Sequence, residues 1–151
     1  MVILALGGML CSYFLNASAN ASCEQVDALI RFLRYVRNQV DFYALPASQI
    51  LEDCDDELFV GFGLYNRPHD VCFELLASEC DIYDKESEKI ACEFFCSFGS
   101  YYREEQVREC ERCIAMLEDR RAVLFGQLPK KKKINNTICI ASALCLGILL
   151  I

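Results

Sequence analysis

The stretch CEQVDALIRFLRYVRNQV, Cys23 to Val40, decides the fold. Its apolar residues Val26, Leu29, Ile30, Leu33, Val36 and Val40 recur at spacings of mostly three and four residues, while Asp27, Arg31, Arg34 and Asn38 take the other side. A helix turns once in about 3.6 residues, so this pattern gathers one apolar stripe and one polar face. Working outward, Pro46 bars extension, and Ser48 is placed to cap a second, shorter helix carrying Ile50, Leu51, Cys54, Leu58 and Phe62. Asp70 is placed to cap a third through Val71, Cys72, Leu75, Leu76 and Cys80, and Asp84 a fourth with Ile90, Phe94, Phe95 and Phe98 inward. A fifth is predicted from Tyr102 to Phe125 with Val107, Cys110, Ile114, Leu117 and Leu124 inward, stopped by Gly126 and Pro129. No alternating strand or Asn-Gly hairpin interrupts the series. The expected class is all-α: a small disulfide-stabilised bundle of about five helices.

On either side of this bundle the composition changes. Residues 2–15 and 137–151 carry no charge, whereas all 22 carboxylates lie between residues 22 and 128 with 11 of the 15 basic residues, a formal charge of −11. Such a charge repels nucleic acid and favours a basic partner. The apolar start, followed by Ala17-Ser18-Ala19 and Ala19-Asn20-Ala21, reads as a cleavable secretory signal over residues 1–21. A helical ectodomain over 22–128 and a basic or polar spacer over 129–136, including Lys130 to Lys133, follow. The tail over 137–151 fits either a lipid-anchor signal, with attachment near Gly126, or a short membrane span. Export to the cell surface, with membrane contact through the tail, is the localisation these addresses predict.

With Cys11, Cys139 and Cys145 set aside, eight cysteines remain: Cys23, Cys54, Cys72, Cys80, Cys92, Cys96, Cys110 and Cys113. An even count behind a secretory signal implies disulfides. Facing residues of antiparallel helices have position numbers that add to a constant; 92 and 113 give 205, and 96 and 110 give 206. One register thus serves both Cys92–Cys113 and Cys96–Cys110. Cys72 and Cys80 lie about 12 Å apart along an intact helix, too far to bridge each other, so they pair with Cys23 and Cys54 in an order left open. The C-x3-C and C-x2-C arrangement resembles the cystine-stabilised helical hairpin of small secreted scaffolds. In a reducing compartment the same four thiols suit a zinc site, which is the reading of a cytosolic, tail-anchored zinc protein.

Two further patterns bear on chemistry. Glu52, Asp53, Asp55, Asp56 and Glu57 form an acidic run without calcium-loop spacing; it reads as a solvated face that attracts a basic partner. The segment Pro68-His69-Asp70-Val71-Cys72-Phe73 resembles the H-D-x-C-Y segment of secreted phospholipases A2. The resemblance implies His69 as the base, Asp70 as a calcium ligand, Gly61-Phe62-Gly63 as a reduced calcium loop and Asp81 or Asp84 orienting the imidazole. An exposed histidine at a helix start is the competing reading. With His69 the sole histidine and no G-x-S-x-G or phosphate loop, the sequence predicts no enzyme, cofactor or metal. The leading expectation is a surface-anchored, disulfide-rich protein that binds a protein ligand or receptor, with Phe59 to Tyr65 as a second contact region. The alternative is a phospholipase-like hydrolase.

Overall fold

The structure is a computed structural model and describes residues 2–65 and 70–149. Helix α1 spans Val2–Asn38 and passes through a π turn, Gln39–Tyr43. Then come α2 (Ala47–Glu52), α3 (Asp56–Gly61), α4 (Phe73–Glu79), α5 (Lys85–Ser97) and α6 (Arg103–Leu149). No strand occurs among the described residues, so the all-α class holds.

Several boundaries differ from expectation. Helix α1 is unbroken across Ala17, Ala19 and Ala21, because the small residues of a cleavage site are also the strongest helix formers. The single helix expected from Ser48 to Phe62 is two: Asp55 takes an extended conformation (φ −63°, ψ 133°), and Pro46, not Ser48, occupies the first cap. This bend lets Ile50 and Leu51 on one side and Phe59 and Phe62 on the other all reach the interior. Helix α4 starts at Phe73 behind an extended Cys72, leaving Asp70 exposed and outside the helix. Helix α6 runs past Gly126 and contains Pro129. Proline forfeits one backbone bond and strains the preceding turn, but Gln127, Leu128 and the following lysines favour helix on both sides.

The chain divides into two compact units, Met1–Cys23 with Val123–Ile151, and Glu24–Ala122. The larger is built on an aromatic cluster. Phe32 of α1, fully buried, meets Phe59 at 5.7 Å, Phe62 at 4.8 Å, Phe73 at 6.4 Å and Phe95 at 6.1 Å between ring centroids. Phe73 stacks on Phe98 at 3.9 Å and joins α4 to α5. Gly61 lets α3 lie against α1, since a Cβ there would stand 2.8 Å from that of Ala28. Along the polar edge, Arg37–Glu111 (2.8 Å), Arg34–Glu118 (2.5 Å) and Arg121–Asp27 (2.6 Å) tie α1 to α6 in antiparallel register. In the smaller unit, Asn16 Nδ2 donates to Asn136 Oδ1 at 3.1 Å, and Asn135 Nδ2 donates to Asn16 Oδ1 at 3.3 Å.

Candidate functional site

The α5–α6 hairpin was the expected centre of the scaffold, and its register is fixed by an ion-pair network at the start of α5. Arg120 Nε and Nη2 donate to the two carboxylate oxygens of Asp84 at 2.8 and 2.7 Å, and Arg120 also pairs with Glu86 at 2.7 Å. The position numbers of these pairs add to 204 and 206, bracketing the 205 and 206 of the cysteines. Asp84 also caps α5, accepting from the Ser87 amide at 3.0 Å and its hydroxyl at 2.8 Å. Hydrogen bonds from Arg120, and then those from Ser87, hold the Asp84 carboxyl down at about 2 against the opposing effect of burial. Asp84 is thus engaged by both Arg120 and Ser87, as register pin and helix cap.

Matching height is not matching direction. Among the described residues no two cysteines stand at disulfide distance, so Cys92–Cys113, Cys96–Cys110 and the two bridges drawn from Cys23, Cys54, Cys72 and Cys80 are not formed in the structure. Cys92 turns to α4, its Sγ donating to the Ala77 carbonyl at 3.4 Å, and Cys96 is exposed. Cys110 and Cys113 are buried on α6, where desolvation pushes their thiols up to about 12 and about 11. Cys80 is likewise raised to about 12 by burial, with Cys92 adding to it. Cys72 and Cys80 flank α4 at its two caps. The position rule measures only height along the axes. Rotation about the α5 axis is set by Phe94 and Phe95 entering the core, which a count of residues does not contain.

The acidic run is laid out as expected on the surface: Glu52, Asp53, Asp55, Asp56 and Glu57 are all exposed. Among the described residues no group of three or more His, Cys, Asp or Glu side chains is arranged to hold a metal ion. Of the second contact region, Phe59 and Phe62 belong to the core, while Val60 and Tyr65 are exposed. His69 lies outside the described residues. Gly63 belongs to its implied calcium loop. Gly63 has φ +107°, and a Cβ there would stand 2.4 Å from the Asp81 carbonyl oxygen, so this glycine serves close packing of two loops.

That packing has an organiser the sequence reading missed. Gln25, buried in α1, donates through Nε2 to the Asp81 carbonyl and accepts from the Tyr83 amide at 2.8 Å, pinning the chain before α5. The one available signal was its position four residues before Leu29 on the apolar stripe. The clamp brings Tyr65 and Tyr83 together at the surface, where a hydrogen bond to Tyr83 that holds the Tyr65 proton, with the neighbouring Tyr83 charge, raises the Tyr65 phenol above its ordinary range. The exposed carboxylates of 52–57 and these two tyrosines are among the groups available for contact on the larger unit. No protein-family model, curated protein or solved structure matches this chain.

Proposed function

We propose that this chain is an exported, membrane-anchored helical domain at the cell surface that acts by binding a protein ligand or receptor with a basic face. The observation that carries the reading is the division of the chain: one compact unit, Glu24–Ala122, holds all 22 carboxylates, and the charge-free segments lie in the other. The five exposed carboxylates Glu52, Asp53, Asp55, Asp56 and Glu57 are the contact proposed for a basic partner. In this reading residues 1–21 direct export and the segment from 137 onward provides the membrane attachment, as a lipid-anchor signal or a short span. None of the described helices is long and apolar enough to cross a membrane.

The cysteine framework belongs to the same proposal. In this proposal Cys92 pairs with Cys113 and Cys96 with Cys110 in an oxidising lumen, which requires Cys92 to leave the Ala77 carbonyl and the side chains to reorient. Each bridge would contribute about 2–4 kcal/mol, chiefly by restricting the unfolded chain.

Intact mass measured with and without reduction, on protein from a eukaryotic secretory host, tests the address and the bridges together. A gain of eight mass units on reduction supports the framework, and peptide mapping assigns the pairs. Unchanged mass with titratable thiols that take up zinc would overturn it in favour of the cytosolic reading. Calcium-dependent lipid hydrolysis abolished by His69→Ala would replace binding with catalysis.

A further inference from the structure

Two segments of the smaller unit share one length, one composition and one junction. Asn16 bonds to both Asn135 and Asn136, 119 and 120 residues away. Beyond that level lie residues 2–15 before Asn16 and 137–149 after Asn136, both helical and both without a charged residue. At 1.5 Å per residue each arm is about 20 Å long. Large apolar side chains are exposed where the arms begin: Tyr13 is 70% exposed, Phe14 69%, Ile138 56% and Ile140 63%, with Leu15 also exposed and Ile134 just before the junction. Water is a poor solvent for such a surface.

Charge identifies what covers it. Lys130 to Lys133 immediately precede Ile134 and the Asn135-Asn136 junction, at most about 10 Å along the helix from Asn136. This is the longest uninterrupted basic run in an otherwise acidic chain. A hydrocarbon layer about 30 Å deep beneath a headgroup layer of several ångströms matches the order of the groups: apolar arms, asparagine junction, lysines. Anionic headgroups complement the lysines.

We infer that residues 2–15 and 137–149 are retained together as a two-armed membrane anchor, which inserts as one unit into an anionic bilayer with Asn16, Asn135 and Asn136 at the interface and Lys130 to Lys133 among the headgroups. The inference rests on the membrane attachment proposed above and departs from removal of either segment. Arms of this length pass one leaflet and stop short of the far surface. The asparagine pairs join the two arms at the interface, where one side faces hydrocarbon and polar groups gain from being bonded to each other.

The chain has no tryptophan, so one introduced at Tyr13 or Ile138 is a sole reporter. Both positions are exposed, and they lie three and two residues beyond the asparagine level. Full-length Tyr13→Trp and Ile138→Trp are mixed with vesicles of phosphatidylcholine and phosphatidylserine at about 7:3 containing lipids brominated at defined depths. The anchor predicts that the same bromine position quenches both tryptophans most. It also predicts that changing Lys131 and Lys132 to Gln lowers partitioning to these vesicles roughly 30-fold, while partitioning to pure phosphatidylcholine changes little. Quenching of one reporter alone, or at clearly different depths, overturns the paired anchor. Intact mass of membrane-extracted protein separates the two failures: loss of either arm sinks this inference and leaves surface attachment standing, whereas a full-length chain that ignores vesicles sinks both.

Discussion

Arg120 of α6 grips both carboxylate oxygens of Asp84, the residue that caps α5, at 2.8 and 2.7 Å. This pair joins capping, register and charge at one place. The Asp84 side chain is only 10% exposed, so solvent screens it little.

The first prediction concerns acid. The Asp84 carboxyl is held at about 2 against an ordinary 3.8, so the unfolded chain binds a proton more readily than the folded one. Its stabilisation is complete above about pH 4 and is lost as pH falls through 2, amounting to about 2 kcal/mol. Urea unfolding of Asp84→Asn should show a loss of that order at pH 7, narrowing as both proteins are taken toward pH 2. A constant difference across that range would refute the assignment.

Gln25 is the second target. Gln25→Ala leaves the Asp81 carbonyl and Tyr83 amide without their partner, at a cost of about 1–3 kcal/mol in thermal unfolding. Gly63→Ala should be at least as damaging, since it combines a left-handed backbone with a contact of 2.4 Å to the Asp81 oxygen. A neutral outcome for both variants would show that this loop junction is not constrained.

A third prediction tests the α1–α3 approach as a pair. Gly61→Ala places a methyl 2.8 Å from the Ala28 Cβ and should destabilise, and Ala28→Gly in the same chain should recover part of the loss. Strict additivity in the double-mutant cycle would dismiss the contact.

The aromatic core gives a fourth. Phe32 is fully buried and meets four other rings, so Phe32→Ala should cost about 3–5 kcal/mol by calorimetry or denaturant titration. A loss under 1 kcal/mol would place the core elsewhere.

Thiol reactivity supplies the fifth. In protein kept reduced, Cys72 and Cys96 are exposed, whereas Cys110 and Cys113 are buried with thiols raised to about 12 and about 11. At pH 8 iodoacetamide should label the exposed pair at least about a hundredfold faster, because the thiolate is the reacting species. Mass spectrometry of timed digests gives the order directly, and equal rates would contradict the burial.

Much of the architecture was legible locally. The stripe through Val26, Leu29, Leu33 and Val36 is fully buried, as its spacing required. Asp84 caps α5 because a short side-chain acceptor before Lys85-Glu86-Ser87 reaches the Ser87 amide whatever the rest of the chain does. Position arithmetic on α5 and α6 gave the height that the Arg120 ion pairs occupy. The acidic run could be placed at the surface because its carboxylates have no apolar face to bury.

What local pattern could not contain is rotation and long-range contact. Whether Cys92 faces α6 or the Ala77 carbonyl of α4 depends on where Phe94 and Phe95 seat against Phe32 and Phe73, a packing outcome distributed over three helices. Gln25 meets Asp81 and Tyr83 across 56 and 58 residues, and no short window of sequence includes both partners. Pro129 was read as a stop because its missing donor is a local fact, while the helix formers on either side carry α6 through. Composition and period thus settled helix, stripe and charge for this protein, since each depends on neighbours a few residues apart. The tertiary structure decided which faces meet, because that depends on side chains competing for one shared interior.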